Sequence, residues 1–309
     1  MLKRQLNLPT VDMDWIMSSI NQSIESVMPT NLQLLNGKEV VFCNDESMVP
    51  INGWDSVSDE VTINRIDRVD KDAYVIGIDS SCILVGEAPD GLIYAAKCSI
   101  VLAYNMRIIT NVKIGPILFY LNDEHTYQGI DEGRRVIRRG LEQIAHSRVA
   151  EALSDSILLV DGTLRSYNIM GLCINDNIPI GLSKSTSIKR MAGISSLLTK
   201  YGDPSYADVT YILGMDRDGI STLLTKLSSN GVVMRADIHE SMDVSYSLGL
   251  LIANDMLHNG YPETLRLAHY TSIFTNTDII CIRGFMKNDL GVKEVDGYNT
   301  RRILLGKLF

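Results

Sequence analysis

Residues 73–81 read Ala73-Tyr74-Val75-Ile76-Gly77-Ile78-Asp79-Ser80-Ser81, and residues 156–164 read Ser156-Ile157-Leu158-Leu159-Val160-Asp161-Gly162-Thr163-Leu164. Each is an apolar run of strand character that ends on an aspartate followed by small residues. A carboxylate leaving a buried strand where the backbone turns is desolvated, held rigidly and aimed into a cleft. Two of them on neighbouring strands can hold a divalent metal. A single aspartate in such a place usually does no more than cap the turn; the pair is what points to metal chemistry.

Working outward, three strands are expected in close order: Tyr74 to Val85, Leu92 to Tyr104 after the turn Pro89-Asp90-Gly91, and Arg107 to Tyr120. Connections this short favour an antiparallel meander. A long helical segment, Arg134 to Leu153, leads into the strand Ile157 to Val160 that carries the second acid. Beyond it the patterns predict a strand over Pro179 to Lys184, a helix near Ile188 to Lys200, and strands over Asp208 to Gly214 and Gly231 to Ile238. A helix opened by Pro262 then runs to about Phe274, and a strand covers Asp278 to Arg283. An antiparallel set, a helix, then a strand with a second acid is the order of a ribonuclease-H-like sheet, whose catalytic acids lie on its first and fourth strands. The expected fold is α/β, a ribonuclease-H-like mixed sheet flanked by helices, with an N-terminal helical extension.

In that extension Trp15, Ile16, Ile20, Ile24, Val27 and Met28 recur at helical spacing until Pro29 stops them. The stripe docks either on the protein's own core or on a partner. Residues 1–70 are thus read as an extension for dimer or partner contacts, and residues 71–309 as the ribonuclease-H-like domain. Turn signals at Asn36-Gly37 and Asn52-Gly53 carry no function.

The 309 residues, 45% hydrophobic and 21% charged, suffice for a large buried core. A net charge of -8 argues against a surface that attracts nucleic acid everywhere, though a local basic groove is compatible with it. The five cysteines never form a CxxC pair, which excludes a thiolate zinc site by spacing and suits a reducing compartment. The N-terminal residues lack a signal-peptide core, and the best apolar run, Leu248 to Ala253, is far too short to span a membrane. A cytoplasmic location is expected.

A third acid should come from the long helix. Glu142 and Glu151 are nine positions apart and so, at about 100° per residue, project from opposite sides. Each borders the apolar stripe of Ile137, Leu141, Ile144, Ala145, Val149 and Ala152. Glu142 shares its border with Arg135, Arg138, Arg139 and His146, joining a metal-type acid to guanidiniums suited to phosphate. It is the preferred acid, with Glu151 left open; a solvated face with an Arg138–Glu142 ion pair is the plainer alternative. Among the histidines, His269 on the Pro262 helix is the first candidate ligand and His239 a second. Lys184, after Ile180-Gly181-Leu182-Ser183, is a candidate phosphate contact outside any P-loop pattern.

These segments together resemble the NurA nuclease family, whose members work with the HerA DNA-translocating ATPase. The resemblance lies in Gly77-Ile78-Asp79-Ser80-Ser81, in Leu158-Leu159-Val160-Asp161-Gly162-Thr163-Leu164, in Ile180-Gly181-Leu182-Ser183-Lys184, and in Gly260-Tyr261-Pro262 with His269 following. It implies manganese-dependent cleavage of DNA, with magnesium weaker, by 5′ to 3′ exonuclease and single-strand endonuclease action. It also implies a homodimer docked on a hexameric HerA ring, and a role in end resection and double-strand break repair beside Mre11 and Rad50. Asp79, Asp161 and His269 carry over to the metal site, Glu142 is the match for the helical acid, and Tyr261 and Lys184 are supporting residues. Arg135, Arg138 and Arg139 would line a DNA channel, with Tyr104 and Tyr261 stacking on bases. Two departures stand out: Ser80-Ser81 lacks the family's glycine after the first aspartate, and Glu263 replaces a frequent aromatic. Two other classes remain open, an actin-like or sugar-kinase-like ATPase and a catalytically weak subunit that docks on a ring ATPase.

Overall fold

Three long strands lead the sheet, and the first two are buried on both faces. β3 (Tyr74–Ala88), β4 (Gly91–Tyr104) and β5 (Arg107–Asn122) pair as an antiparallel meander, and of β4 scarcely a side chain reaches solvent. A sheet buried on both faces needs helices on both faces, and the flanking sequence supplies them. The computed structural model describes residues 11–28, 32–42, 61–122, 130–183, 191–213 and 218–295.

The upstream elements are α1 (Met13–Val27), β1 (Glu39–Phe42) and β2 (Asn64–Arg65). After the meander come α2 (Ile130–Ala152), β6 (Ile157–Asp161), α3 (Ile169–Leu172), β7 (Ile178–Ser183), α4 (Ala192–Lys200), β8 (Ser205–Asp208), β9 (Ile220–Lys226) and β10 (Met234–His239). The chain closes with α5 (Val244–Asn254), the short pair β11 (Leu257–His258) and β12 (Tyr261–Pro262), α6 (Glu263–Ser272), α7 (Asn276–Asn288) and β13 (Lys293–Glu294). In space the core strands run β5-β4-β3-β6-β7, with β6 parallel to β3 and β7 parallel to β6. Only β4 is antiparallel to the rest, which is the ribonuclease-H-like arrangement. β10, β9, β8 and β2 extend the sheet beyond β7 by antiparallel steps.

Ile137, Leu141, Ala145 and Val149 recur every fourth residue on α2 and bury against Ile76, Ile78, Ile100 and Leu102 of the sheet. Ile16, Ile20 and Ile24 of α1 join the same cluster, so this part of the N-terminal stripe docks on the protein's own core, whereas Trp15 and Val27 are exposed. The opposite face carries α5 and α6 over Val75, Leu159 and Ile180, and α7 over Val85, Ile93 and Leu118. No helix among the described residues is long and apolar enough to cross a membrane.

Besides β9 and α5, which the sequence patterns do not predict, the structure departs from expectation in three places. Asp278–Arg283 lies within α7 and is no strand: Thr275 and Asp278 form a capping box, and of the run Ile279-Ile280-Cys281-Ile282 only Ile282 is buried. The strand expected from Asp208 to Gly214 ends at Asp208, whose Oδ1 accepts from Thr210 N and Oγ1 at 2.9 and 2.6 Å and turns the chain. Asp79 does not end its strand, because β3 continues to Ala88. What ends there is the pairing with β6, whose last partner on β3 is Ile78 opposite Val160.

Candidate metal centre

Asp79 and Asp161 occupy equivalent positions just past the last paired residues of two parallel strands. In a strand alternate side chains share a face. Val75, Gly77 and Asp79 therefore look toward α6, and Asp161 lies on the same side as Ile157 and Leu159. α6 can come close because residue 77 is glycine: a Cβ there would stand 2.5 Å from the carbonyl carbon of Thr264 and 2.7 Å from Leu265 N. That contact sets His269, on the exposed flank of α6, beside Asp79, with its Nδ1 donating to Asp79 Oδ2 at 2.7 Å. One ligand atom each from Asp79, Asp161 and His269 lies within 4.8 Å of the other two. Two carboxylate oxygens and an imidazole nitrogen, converging at a cleft, form a donor set that suits a divalent transition metal.

Asp79 is 2% exposed and accepts from the Ser80 backbone N–H at 2.8 Å. The turn after Asp161 is held from two sides. Gly181 on β7 leaves room for it, since a Cβ there would meet the Gly162 carbonyl at 2.7 Å. Thr163 Oγ1 donates to Asp237 Oδ2 at 2.6 Å. Tyr261 OH lies 3.4 Å from Asp161 Oδ1, and burial together with the charges of Asp161 and Asp79 pushes its phenol well above the ordinary range.

Glu142 lies at the same edge of β3 but on the other face. It is buried, Ser80 Oγ donates to its Oε1 at 2.6 Å, and Tyr167 OH donates to its Oε2 at 2.9 Å. Burial pushes its carboxyl upward; Arg138 and the two hydroxyl donors pull it down, and the Asp79 charge adds to the rise. Both oxygens are thus engaged by protein donors, and Glu142 falls outside the group formed by Asp79, Asp161 and His269. Arg138 links the two: its Nη2 is 3.4 Å from Glu142 Oε1 and 3.7 Å from Asp79 Oδ1, while its Nε donates to the Ser80 carbonyl just past the end of the β6 pairing. Glu151, by contrast, is exposed and pairs with Arg148 at 2.7 Å.

Arg134, Arg135, Arg138 and Arg139 line one wall of a cleft of about 560 Å³ whose floor includes Glu142, Asp161 and Thr163. Lys184 lies outside the described residues. Tyr104 is not brought to the site: it packs at a tilt against Tyr74, with centroids 4.8 Å apart, five strand positions or roughly 17 Å from the level of Asp79. His239 bonds to Ser241 Oγ at the end of β10, and His146 is a buried core residue whose two ring nitrogens face the carbonyls of Glu142 and Leu159 at 2.8 and 3.2 Å.

Sequence reasoning missed the group around Asp237. This acid is 1% exposed and receives Arg165, Arg235, Thr163 and Thr222. Two charges at alternate positions of one strand, Arg235 and Asp237, were the available signal. They must share a face, and in the interior of a sheet that face has to be polar.

No family model matches the chain, and no curated protein is similar to it. Among solved structures, the NurA nuclease from Sulfolobus solfataricus is 16% identical over 74% of this chain and 88% of its own, at a TM-score of 0.49. A NurA bound to dAMP and manganese is 8% identical over 74% of this chain and 92% of its own, at 0.47. The catalytic domain of human endonuclease V is 16% identical over 74% and 92%, at 0.40.

Proposed function

We propose that this chain is a metal-dependent DNA nuclease of the NurA type. The observation that carries the reading is the convergence of Asp79, Asp161 and His269 on one point at the end of the β3–β6 pairing, beside a cleft walled by arginines. A histidine among oxygen donors favours manganese over magnesium. A divalent cation bound there supplies Lewis acidity toward a phosphate and an activated water for its hydrolysis.

The protein's own groups do the rest. Arg135, Arg138 and Arg139 hold the phosphates of the strand, and Arg138 shares its charge between Asp79 and Glu142. Glu142 is the third acid, set by Ser80 and Tyr167. Tyr261 orients Asp161, and Lys184 contacts phosphate. An acidic protein with a local cluster of arginines at one cleft gains from a partner that delivers the substrate. The reading therefore includes a homodimer docked on a HerA-type hexameric ATPase, cytoplasmic, with 5′ to 3′ exonuclease and single-strand endonuclease action in end resection beside Mre11 and Rad50.

The test is a manganese titration on labelled single-stranded DNA with the wild-type chain and Asp79→Ala. Cleavage that needs the metal and is abolished by the substitution is expected. ATP turnover without cleavage would overturn the reading in favour of a kinase-like site, and silence in both assays in favour of a docking subunit.

A further inference from the structure

The metal centre lies between two clefts of different character. Asp161 borders the arginine-walled one. His269 and Tyr261 border the other, a space of about 290 Å³ completed by Val232, Met234, Arg266 and Tyr270. The second space has apolar side walls, an aromatic ring and room for a planar ring system. Tyr270 is 61% exposed although it follows the candidate ligand His269 directly in the chain. It has no part in holding α6, whose buried residues are Thr264, Leu265, Ala268 and Ser272. Its ring is instead backed by the Arg266 guanidinium, 5.4 Å from the ring centroid. Arg266 is in turn clamped through two hydrogen bonds by Glu263. The two bonds to Glu263 fix the guanidinium behind the Tyr270 ring and so hold the plane of that ring.

We infer that this second cleft is a nucleobase-stacking subsite, with Tyr270 as the platform and Met234 and Val232 as its apolar side. The inference rests on the nuclease reading and deepens it. Phosphates are held on the arginine side of the centre, and the base of the nucleotide at the scissile bond is held on the Tyr270 side. Every base offers a π-face, so the subsite favours a base over none without selecting among the four. A contact made equally in the bound state and the transition state acts on KM and leaves kcat alone.

The experiment uses the full chain with manganese and two labelled oligonucleotides, one normal and one carrying an abasic tetrahydrofuran residue at the cleaved position. Tyr270→Ala is expected to raise KM for the normal strand by about ten-fold, with kcat changed by less than about two-fold. On the abasic strand wild type and variant should converge. Tyr270→Phe, which keeps the ring, is expected to recover most of the loss. Calorimetric titration with manganese alone should give Tyr270→Ala the wild-type affinity. An unchanged KM in Tyr270→Ala, or the same rise on both strands, overturns the subsite while the nuclease reading stands. A loss of manganese affinity overturns it too, since the effect would then pass through His269. Wild-type protein that cleaves neither strand overturns the nuclease reading itself, and the wild-type reactions show this before any variant is made.

Discussion

Gly77→Ala adds one carbon to β3 at a point remote from solvent, and its consequence can be worked out from the packing. The new Cβ would stand 2.5 Å from the Thr264 carbonyl carbon, 0.9 Å inside the 3.4 Å at which ordinary contact begins. The atoms it meets are backbone, so no side chain can swing aside. Nor can the first turn of α6 retreat freely, because Asp255 Oδ2 accepts from Thr264 N at 3.3 Å and from Thr264 Oγ1 at 2.6 Å. Overpacking of this kind costs roughly 2–3 kcal/mol, or roughly 3–5 °C in melting temperature for a chain of 309 residues. The displacement also moves His269, one turn and a half further along the same rigid helix. A lost support of that sort typically weakens metal binding by roughly 10–100-fold. Thermal unfolding with and without manganese chloride reads both effects, since a ligand at 100 times its Kd adds about 2.7 kcal/mol of stability. Gly77→Ala should melt lower without metal and lose most of the manganese-induced rise. A variant with wild-type melting and a wild-type manganese response would refute the claim that the approach of α6 to Gly77 positions the ligand.

Gly284→Ala is the converse case: a Cβ on this α7 residue meets nothing within 4 Å, and helix propensity should raise stability by about 0.5–1 kcal/mol, read as a shift in the urea midpoint. Asp255 is wholly buried, only its Oδ2 has hydrogen-bond partners, and burial raises its pKa from 3.8 to about 7. The folded state thus keeps a proton that the unfolded chain releases near pH 4. Stability should fall as pH rises from about 4 to 7, by an amount on the order of 4 kcal/mol, and Asp255→Asn should abolish this fall in urea titrations across that range. Ser80→Ala removes the 2.6 Å donor to Glu142 and should cost about 1–3 kcal/mol, whereas if Ser80 is a bystander the urea midpoint will not move. Replacing Arg135, Arg138 and Arg139 together by alanine should flatten the slope of log binding constant against log salt for single-stranded DNA by about 2, at roughly 0.7 per phosphate contact, as measured by fluorescence anisotropy.

The meander and the strand bearing Asp161 were legible because local pattern decides them: long apolar runs, a Pro-Asp-Gly turn, and a helix between antiparallel and parallel pairing. Other features depended on partners far away in the chain. The run Ile279-Ile280-Cys281-Ile282 has strand propensity, and only the capping box and the burial of Ile282 and Met286 one turn apart make it a helix. The border of α2 that carries Glu142 could be chosen from helical geometry. That its oxygens would be taken by Ser80 and Tyr167 could not, because those contacts form past the end of the β6 pairing on β3. The Asp237 group escaped notice for the same reason, its partners coming from β6–α3, β9 and β10.

The end of the β6 pairing on β3 ties these observations together. Sheets normally satisfy a central strand on both sides; among the described residues β3 has no strand partner on the β6 side from Asp79 to Val85, between the end of the β6 pairing and β1, which pairs at Gly86 and Glu87. Side chains bond there: Arg138 donates to the Ser80 carbonyl, and Asp79 turns back on the Ser80 N–H. The end of the β6 pairing thus gathers an aspartate, a glutamate and an arginine from two faces of one sheet. Glycine at position 80 would offer the same backbone but no hydroxyl for Glu142. Ser80 is therefore the residue joining Glu142 to the strand of Asp79, and a Ser80→Gly chain should separate the two.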